Sequence, residues 1–262
     1  RSPGYFVSFP ISCLSLASAK GSGVQILARV PGEVTTKFEG ERVEYMALVF
    51  DSKNEIRDVR HLDADPRPYR GRPIVFTSAA PVEPGYYTCR LVIRDLESGL
   101  SAVSSVRVFV PATAQSGLRL GTPLLLQEES GCAYLELSQR NGHLTLPWAQ
   151  IYAFDRTVLS PIEEKISAQT GRLLALVPFS VPGVSEPDVA PSVRLVEAGT
   201  AQAWPVTASL VGTIRHSWGE TAILEIPIPA LKPRDYFFYV NGLDRTSRTA
   251  AYTFTGLTVR ED

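Results

Sequence analysis

The sequence predicts an all-β protein made of two tandem antiparallel β-sandwich domains. Three observations carry this prediction. Apolar residues alternate with polar residues over short stretches, as they do in strands with one buried face. The 20 prolines and 19 glycines are spread between these stretches, where they favour turns. Finally, one block of sequence recurs later in the chain, which indicates a repeated β unit.

Strand-like stretches follow one another through the first half of the chain. The clearest face is in GYYTCRLVIRD, where Tyr87, Cys89, Leu91 and Ile93 alternate with mostly polar residues. The other stretches are VQILARV (24–30), VEYMALVF (43–50), PIVFTSA (73–79) and VRVFV (106–110). Turn-forming clusters such as PGE, DSKNE and DLESG separate them. Five or more short strands at this spacing are typical of an antiparallel sandwich.

The repeat appears when the sequence is shifted by 149 positions. GRPIVFTSAAPVEPGYYTCRLVIRDLES then lies over ETAILEIPIPALKPRDYFFYVNGLDRTS, with Tyr87 over Tyr236 and Asp95 over Asp244. Beyond the next loop, removing three residues places Val106 and Val108 over Tyr252 and Phe254. The boundary is predicted at PATAQSG, where a proline and small polar residues separate two apolar runs. The predicted parts are an N-terminal linker (1–7), a first domain (8–111), a linker (112–117) and a larger second domain (118–262).

One segment of the second domain, SPIEEKISAQTG (160–171), leaves two alternatives open. Ser160, Pro161 and Glu163 match the capping pattern at the start of a helix. The spacing of Ile162 and Ile166 does not decide between a short helix and another structure.

These residues resemble known sandwich families. The arrangement Pro-x-x-Tyr-x-apolar-x-apolar followed by Asp resembles the last two strands of immunoglobulin-like or fibronectin-like domains, which makes the expected fold two tandem immunoglobulin-like antiparallel β-sandwiches. In such domains a corner tyrosine bonds back to the upstream backbone, a role that falls on Tyr87 and Tyr236. A disulfide of that family would join Cys89 to Cys13. Because Cys89 lies over Phe238 in the repeat, we instead predict a buried thiol, and we expect three free thiols in the unfolded protein.

A more specific resemblance lies in the opening RSPGYF. It is similar to the Arg-x-Pro-Gly-Tyr-Phe that closes the von Willebrand factor A-type portion of large bacterial secreted proteins, the VWFA-related proteins common in acidobacteria, in which a β-rich tail follows. LRLGTPLLL and NGHLTLPWAQIYAF also resemble that tail. The resemblance implies an extracytoplasmic setting (secreted, periplasmic or cell envelope) and no known reaction. The metal-binding Asp-x-Ser-x-Ser of the A-type domain is not matched by DSKNE (51–55), so no functional residue is carried over.

Net charge and the length of the apolar runs argue against two kinds of partner, nucleic acid and a lipid bilayer. The formal net charge is −1, from 26 basic and 27 acidic residues without a long like-charge run, which argues against nucleic acid. No apolar run approaches the roughly 20 residues of a membrane span. The chain begins at Arg1 without a signal region, so we expect a fragment or processed product of a longer chain.

Reactive constellations are sparse. There is no G-x-S-x-G motif, no phosphate-binding loop and no cysteine pair at metal spacing. The carboxylate pairs Asp63–Asp65 and Glu128–Glu129 lie in turn-like segments, where solvated loops are the simpler interpretation. His61, Asp63 and Asp65 in HLDADP could ligate a cation, but they fall short of a calcium loop. We therefore predict no catalytic residue, no metal site and no cofactor.

The remaining candidates for binding are aromatic. Trp218, in the turn-like RHSWGE beside His216, is predicted to be exposed, and these two residues are the candidate binding site. The leading functional hypothesis is a non-catalytic structural or protein-interaction module of a larger extracytoplasmic bacterial protein, with a protein or cell-envelope component as partner. One alternative is a glycan-binding accessory module of a polysaccharide-active enzyme. A second is a hydrolase with carboxylates in an interdomain cleft.

Overall fold

The fold was analysed in a computed structural model. It describes residues 6–7, 9, 11–18, 21–112, 116–137, 151–162, 165–167, 170–200, 202–217, 219–228 and 231–261. These residues form an all-β sandwich fold, with 63% strand and 3% helix and no barrel. None of the described helices is long and apolar enough to cross a membrane.

The first half of the chain forms most of two facing sheets. One sheet has the order β1-β8-β7-β4-β5, and the other places β6, β3 and β2 side by side. A short helix, α1 (Gly32–Thr35), and a 3-10 helix (Arg67–Tyr69) lie in the connections. The strands are β1 (Phe6–Val7), β2 (Ile11–Ser18), β3 (Gly21–Val30), β4 (Val43–Asp51), β5 (Ile56–Ala64), β6 (Ile74–Pro81), β7 (Gly85–Asp95) and β8 (Ser101–Val110).

The second half builds a similar pair of sheets. One has the order β12-β10-β14-β18-β17, with β9 also paired to β14, and the other has the order β13-β20-β19-β15-β16. The strands are β9 (Arg119–Leu120), β10 (Leu124–Glu128), β11 (Ala133–Glu136), β12 (Leu159–Pro161), β13 (Lys165–Ser167), β14 (Arg172–Ser180), β15 (Val189–Glu197), β16 (Ala203–Val206), β17 (Ser209–His216), β18 (Gly219–Pro227), β19 (Asp235–Asp244) and β20 (Thr249–Arg260). Strands β12 and β13 occupy the segment left open above, so its described residues are not helical.

Each half has its own apolar core between its sheets. In the first half, Val24, Phe76, Tyr45, Cys89 and Leu91 belong to one buried cluster. In the second half, a separate cluster includes Leu173, Leu195, Leu224 and Phe238. The inward positions of β7 and β19 thus match the alternation in the sequence. The prediction that Cys89 is a buried thiol is confirmed: Cys89 is fully buried and is not disulfide-bonded, although its Sγ lies 3.2 Å from that of Cys13.

The repeat places the same hydrogen bonds in both halves. The Tyr87 hydroxyl donates to the Glu83 carbonyl oxygen at 2.8 Å, and the Tyr236 hydroxyl donates to that of Lys232 at 3.0 Å. Both tyrosines are buried, and both reach back four residues. The predicted corner role is therefore confirmed for each tyrosine.

The strand register corrects one part of the repeat. Cys89 pairs with Val106, and Phe238 pairs with Thr255, so the shift of 149 continues through β8 and β20 without a gap. The predicted removal of three residues was wrong. An odd shift moves a side chain to the other face of a strand. Val108 faces the core and is buried, whereas Tyr252 and Phe254 face outward and are exposed.

A strand from the second half completes a sheet of the first. β11, which the sequence assigned to the second domain, pairs in parallel with β6 through Ala133–Ile74, Tyr134–Val75, Leu135–Phe76 and Glu136–Thr77. Because an unpaired edge strand leaves backbone N–H and C=O groups open, this pairing covers the edge of β6. The domain boundary at residues 112–117 stays a prediction. Residues 133–136 follow this boundary in the sequence but belong to a sheet of the first half.

The two halves meet through their β2-β3-β6 and β10-β14-β18 sheets. Leu14 and Leu27 of the first half share a buried cluster with Leu126 and Leu176 of the second, together with Tyr152. This seam explains why β3 and β14 are buried along nearly their whole length, since each strand has one face in the core of its own half and the other in the seam. At one side of the seam, Arg29 Nη2 donates to Glu129 Oε1 at 2.5 Å.

Candidate interaction surface

Of the two residues predicted to form a binding site, the structure describes only His216. Trp218 lies outside the described residues. His216 ends β17 and is half-buried, and its Nε2 lies 3.1 Å from Thr221 Oγ1. Since the Thr221 hydroxyl donates to the Ile151 carbonyl oxygen, Nε2 of His216 acts as the donor in this pair. Burial lowers the pKa of His216. The imidazole is thus engaged in packing β17 onto β18.

The predicted carboxylate pairs are engaged by neighbouring cations. Asp65 accepts from the Arg67 guanidinium, and Glu128 contacts Arg172. Glu129 lies in the seam, where burial raises its pKa but the Ser160 hydroxyl and Arg29 outweigh that effect, so the pKa is lowered. The Arg67 guanidinium likewise lowers the pKa of Asp65, whereas a general acid in glycoside hydrolysis needs a raised pKa.

One group of side chains has the composition of a metal site. Glu44, His61 and Asp63 bring one carboxylate oxygen, one imidazole nitrogen and a second carboxylate oxygen within 4.8 Å of one another. Sequence reasoning named His61 and Asp63 but paired them with Asp65, which instead binds Arg67. Glu44 was missed because it comes from β4 and reaches the others only through strand pairing.

One exposed cluster among the described residues is aromatic. Phe237 and Tyr239 of β19 and Tyr252 and Phe254 of β20 point outward from the sheet, and we call these four residues the aromatic face. Tyr252 is 69% exposed, Phe254 47% and Phe237 37%. Ring centroids are 5.1 Å apart for Tyr239 and Phe254, and 5.8 Å apart for Phe237 and Phe254. Exposed clusters of this kind mark interaction sites.

Strand register arranges the aromatic face in rows across β15, β19 and β20. One row is Arg194–Tyr239–Phe254, in which the guanidinium carbon of Arg194 lies 6.0 Å from the centroid of the Tyr239 ring. The flanking rows are Val196–Phe237–Gly256 and Ser192–Asn241–Tyr252. Gly256 leaves open space beside the rings, because a Cβ placed there would meet no atom within 4 Å.

The first half has a polar pair at the positions that correspond to Tyr239 and Phe254, and its exposed aromatic pair, Tyr86 and Phe109, lies elsewhere on the equivalent sheet. With the shift of 149, Tyr239 and Phe254 correspond to Arg90 and Ser105, which are also paired across two strands. There the Arg90 Nε–H donates to Ser105 Oγ at 3.0 Å. The same fold is thus built with a polar pair at this place, so the aromatic rings are not required for the sheet to form. Sequence reasoning missed the surface because its misplaced gap assigned Tyr252 and Phe254 to inward positions.

Comparison with known proteins adds no relative. No protein-family model matches the chain, and no curated protein matches it either. The likeness to VWFA-related bacterial proteins therefore stays a prediction.

Proposed function

We propose that the chain is a non-catalytic structural and protein-interaction module, in which two immunoglobulin-like sandwiches present the aromatic face to a partner protein in an extracytoplasmic setting. The observation that carries the proposal is the difference between the two halves. An aromatic cluster on the second half replaces the Arg90–Ser105 pair of the first. Because the first half forms the equivalent sheet with a polar pair at these two positions, folding does not require the Tyr239 and Phe254 rings, and we attribute their exposure to a contact.

The immunoglobulin-like assignment is supported by the repeated two-sheet arrangement and by the corner tyrosines. In both halves the strand that carries the tyrosine, β7 or β19, lies between the last strand and a strand from the middle of the half. That placement matches strands C, F and G of such domains. The extracytoplasmic setting is supported by the similarity of RSPGYF to the bacterial secreted proteins named above.

A protein partner suits the chemistry of the aromatic face better than a glycan. Tyr and Arg are enriched among the residues that dominate protein–protein binding energy, and here Arg194 lies against Tyr239. Outward polar side chains in the three rows are limited to Arg194, Ser192 and Asn241, and no carboxylate is among them. A sugar would need more hydrogen-bonding groups beside the rings.

The seam supports a structural role. β11 pairs with β6, and apolar side chains from both halves share one cluster, so each half contributes to the packing of the other. Such a platform would present the aromatic face with little loss of conformational freedom on binding.

The proposal is tested by a double substitution on the aromatic face, Tyr239→Ser with Phe254→Ser. The matched control is Tyr86→Ser with Phe109→Ser, which removes an exposed aromatic pair of the first half whose centroids are 4.7 Å apart. A photo-crosslinker at position 254 identifies partners in an envelope extract, and the purified partner is then titrated against each variant. We expect the Tyr239/Phe254 variant to weaken binding at least about tenfold, since two central residues would each contribute ~1 kcal/mol or more, and the control to bind normally.

Three outcomes would contradict the proposal. Equal loss of binding in both variants would show that the contact is not specific to the aromatic face. Saturable binding of a glycan, lost only in the Tyr239/Phe254 variant, would replace the proposal with the glycan-binding alternative. A purified partner that binds the Tyr239/Phe254 variant normally would place its contact elsewhere.

A further inference from the structure

We infer that Glu44, His61 and Asp63 form a binding site for a divalent first-row metal ion, with Zn²⁺ the best match. The site lies on the outer face of the β1-β8-β7-β4-β5 sheet in the first half of the chain. It is separate from the aromatic face and does not depend on the function proposed for that surface.

Strand geometry brings the three side chains together. His61 and Asp63 are two residues apart on β5, so their side chains leave the same face of the sheet. Glu44 of β4 pairs directly with Asp63. As a result, His61 Nε2 lies 3.1 Å from Glu44 Oε1 and 3.1 Å from Asp63 Oδ1. The two carboxylates therefore converge on one imidazole nitrogen.

These separations fit ligands that share a metal ion. With Zn–N and Zn–O bonds of about 2.0–2.2 Å, neighbouring ligand atoms lie ~3.0 Å apart in octahedral geometry and ~3.4 Å apart in tetrahedral geometry. The 3.1 Å separations of His61 Nε2 from the two carboxylate oxygens fall between these values, and those two oxygens lie within 4.8 Å of each other. An ion could thus enter the cluster with only small side-chain movements.

The ligand set also selects the class of ion. An imidazole with two carboxylates suits Zn²⁺ and its first-row neighbours, whereas Ca²⁺ and Mg²⁺ prefer oxygen ligands alone. The side chains of His61, Glu44 and Asp63 are 15%, 22% and 42% exposed, so water can reach the cluster and complete the coordination. Three protein ligands with water in the fourth position are a known coordination of Zn²⁺ in proteins.

Charged side chains affect both the stability of the empty cluster and its affinity for a metal ion. Like charges directly opposite each other, as Glu44 and Asp63 are, destabilise a sheet, and a cation between them removes that cost. Arg42 Nη2 lies 3.4 Å from Asp63 Oδ2, which orients the carboxylate and leaves Oδ1 directed at His61. Arg94 of β7 pairs with Glu44 from the other side. The Arg42 guanidinium reduces the local negative charge, so we expect only an ion with a high affinity for imidazole and carboxylate ligands, such as Zn²⁺, to bind.

A protonated His61 between two carboxylates would give similar distances, and a metal titration separates the two cases. Tag-free protein, with its thiols reduced, is titrated with Zn²⁺ by calorimetry and with Co²⁺ by visible absorption. We expect one saturable site for Zn²⁺ and none for Ca²⁺ or Mg²⁺. Glu44→Gln, His61→Gln and Asp63→Asn should each weaken Zn²⁺ binding roughly 10- to 100-fold, at least as much as loss of an outer-shell partner does.

The matched controls are Asp65→Asn, which removes a nearby carboxylate bound by Arg67, and His216→Gln, which removes a histidine elsewhere. Both should bind Zn²⁺ as the wild type does. All three cluster residues lie on an outer face, and thermal unfolding without metal checks that each variant is folded. Absence of Zn²⁺ binding in the wild type would overturn the inference. So would unchanged binding in folded His61→Gln, or binding that is lost in Cys132→Ser instead.

Discussion

The turn aspartates Asp95 and Asp244 give a quantitative test of the repeat. Asp95 is fully buried; its Oδ1 accepts from the backbone N–H groups of Glu97 and Ser98, and its Oδ2 accepts from that of Gly40 at 3.0 Å. In Asp95→Asn, one oxygen can keep the first two bonds, but the amide group would face the buried Gly40 N–H, donor against donor. An unpaired buried donor costs about 1–3 kcal/mol, and the two remaining bonds lose the assistance of the charge.

We therefore expect Asp95→Asn to lower the free energy of unfolding by about 2–4 kcal/mol. Asp244 makes the same kind of turn, with bonds from the backbone N–H groups of Asp188, Thr246 and Ser247, but Asp188 is exposed, unlike the buried Gly40. Asp244→Asn should thus cost less, about 1–3 kcal/mol. Urea unfolding followed by fluorescence measures both values. With a slope of about 2 kcal/mol per molar urea, the midpoint for Asp95→Asn should fall by roughly 1–2 M.

The pH dependence gives a second test of the same contacts. Burial raises the pKa of Asp95, but the N–H groups of Ser98, Gly40 and Glu97 outweigh it, so the pKa is lowered. A carboxyl with a lowered folded-state pKa stabilises the fold above its unfolded value of about 4, and this stabilisation is lost as the pH falls through the folded pKa. The difference between wild type and Asp95→Asn should therefore shrink in acid. Asp155→Asn is the control: its Oδ1 accepts from the Thr157 N–H and hydroxyl in an exposed turn, where water can replace these bonds, so it should cost about 1 kcal/mol or less. Equal effects at positions 95 and 155, or a difference that does not change with pH, would refute the argument.

Two further predictions concern single buried groups. The three guanidinium nitrogens of Arg119 are buried without a hydrogen-bond partner among the described residues, and burial lowers the pKa of Arg119. Because an unpaired buried charge is costly, Arg119→Met should raise the free energy of unfolding by about 1 kcal/mol or more. A decrease in thermal or urea stability would contradict this. Burial raises the pKa of the Cys13 and Cys132 thiols, so these thiols of the native protein should react slowly with an aromatic disulfide reagent. The unfolded, unreduced protein should give three reactive thiols. A count of one would mean that Cys13 and Cys89 are bonded.

The parts of the fold that follow from local patterns could be predicted from the sequence. Alternation in β7 identified the inward residues, and the conserved spacing within the repeat identified both corner tyrosines. The alignment of the repeat was wrong only after the turn that follows β7 and β19. Aromatic residues are usually buried, so Tyr252 and Phe254 were aligned with Val106 and Val108 at the expense of a gap. The gap-free register instead places Thr253 and Thr255 inward and the rings outward. The residues that misled the alignment are those of the aromatic face.

Contacts between distant strands could not be predicted in this way. Nothing in the residues of β11 specifies the edge of β6 as its partner, because parallel pairing is fixed by where the connecting segment returns. Glu44 joins His61 and Asp63 only through the register of β4 and β5, which shifts at a bulge between Val49 and Phe50. Local patterns report which face a side chain occupies, whereas such pairings depend on the whole sheet.

The divergence of the two halves shows where each could have acquired a separate role. Both halves keep the corner tyrosine and the buried turn aspartate, which the fold needs, and they differ on the outer faces of equivalent sheets. The first half carries the Glu44–His61–Asp63 cluster and the Arg90–Ser105 pair on that face, and the second carries the aromatic face. Because the seam uses the opposite sheets of the two halves, the described residues of one half do not cover the outer face of the other. Substitutions on one face should then leave binding at the other unchanged, since sites that are far apart and share no partners act additively. A Tyr239/Phe254 variant that lost Zn²⁺ affinity, or a His61 variant that lost the protein partner, would show that the two faces are coupled through the seam.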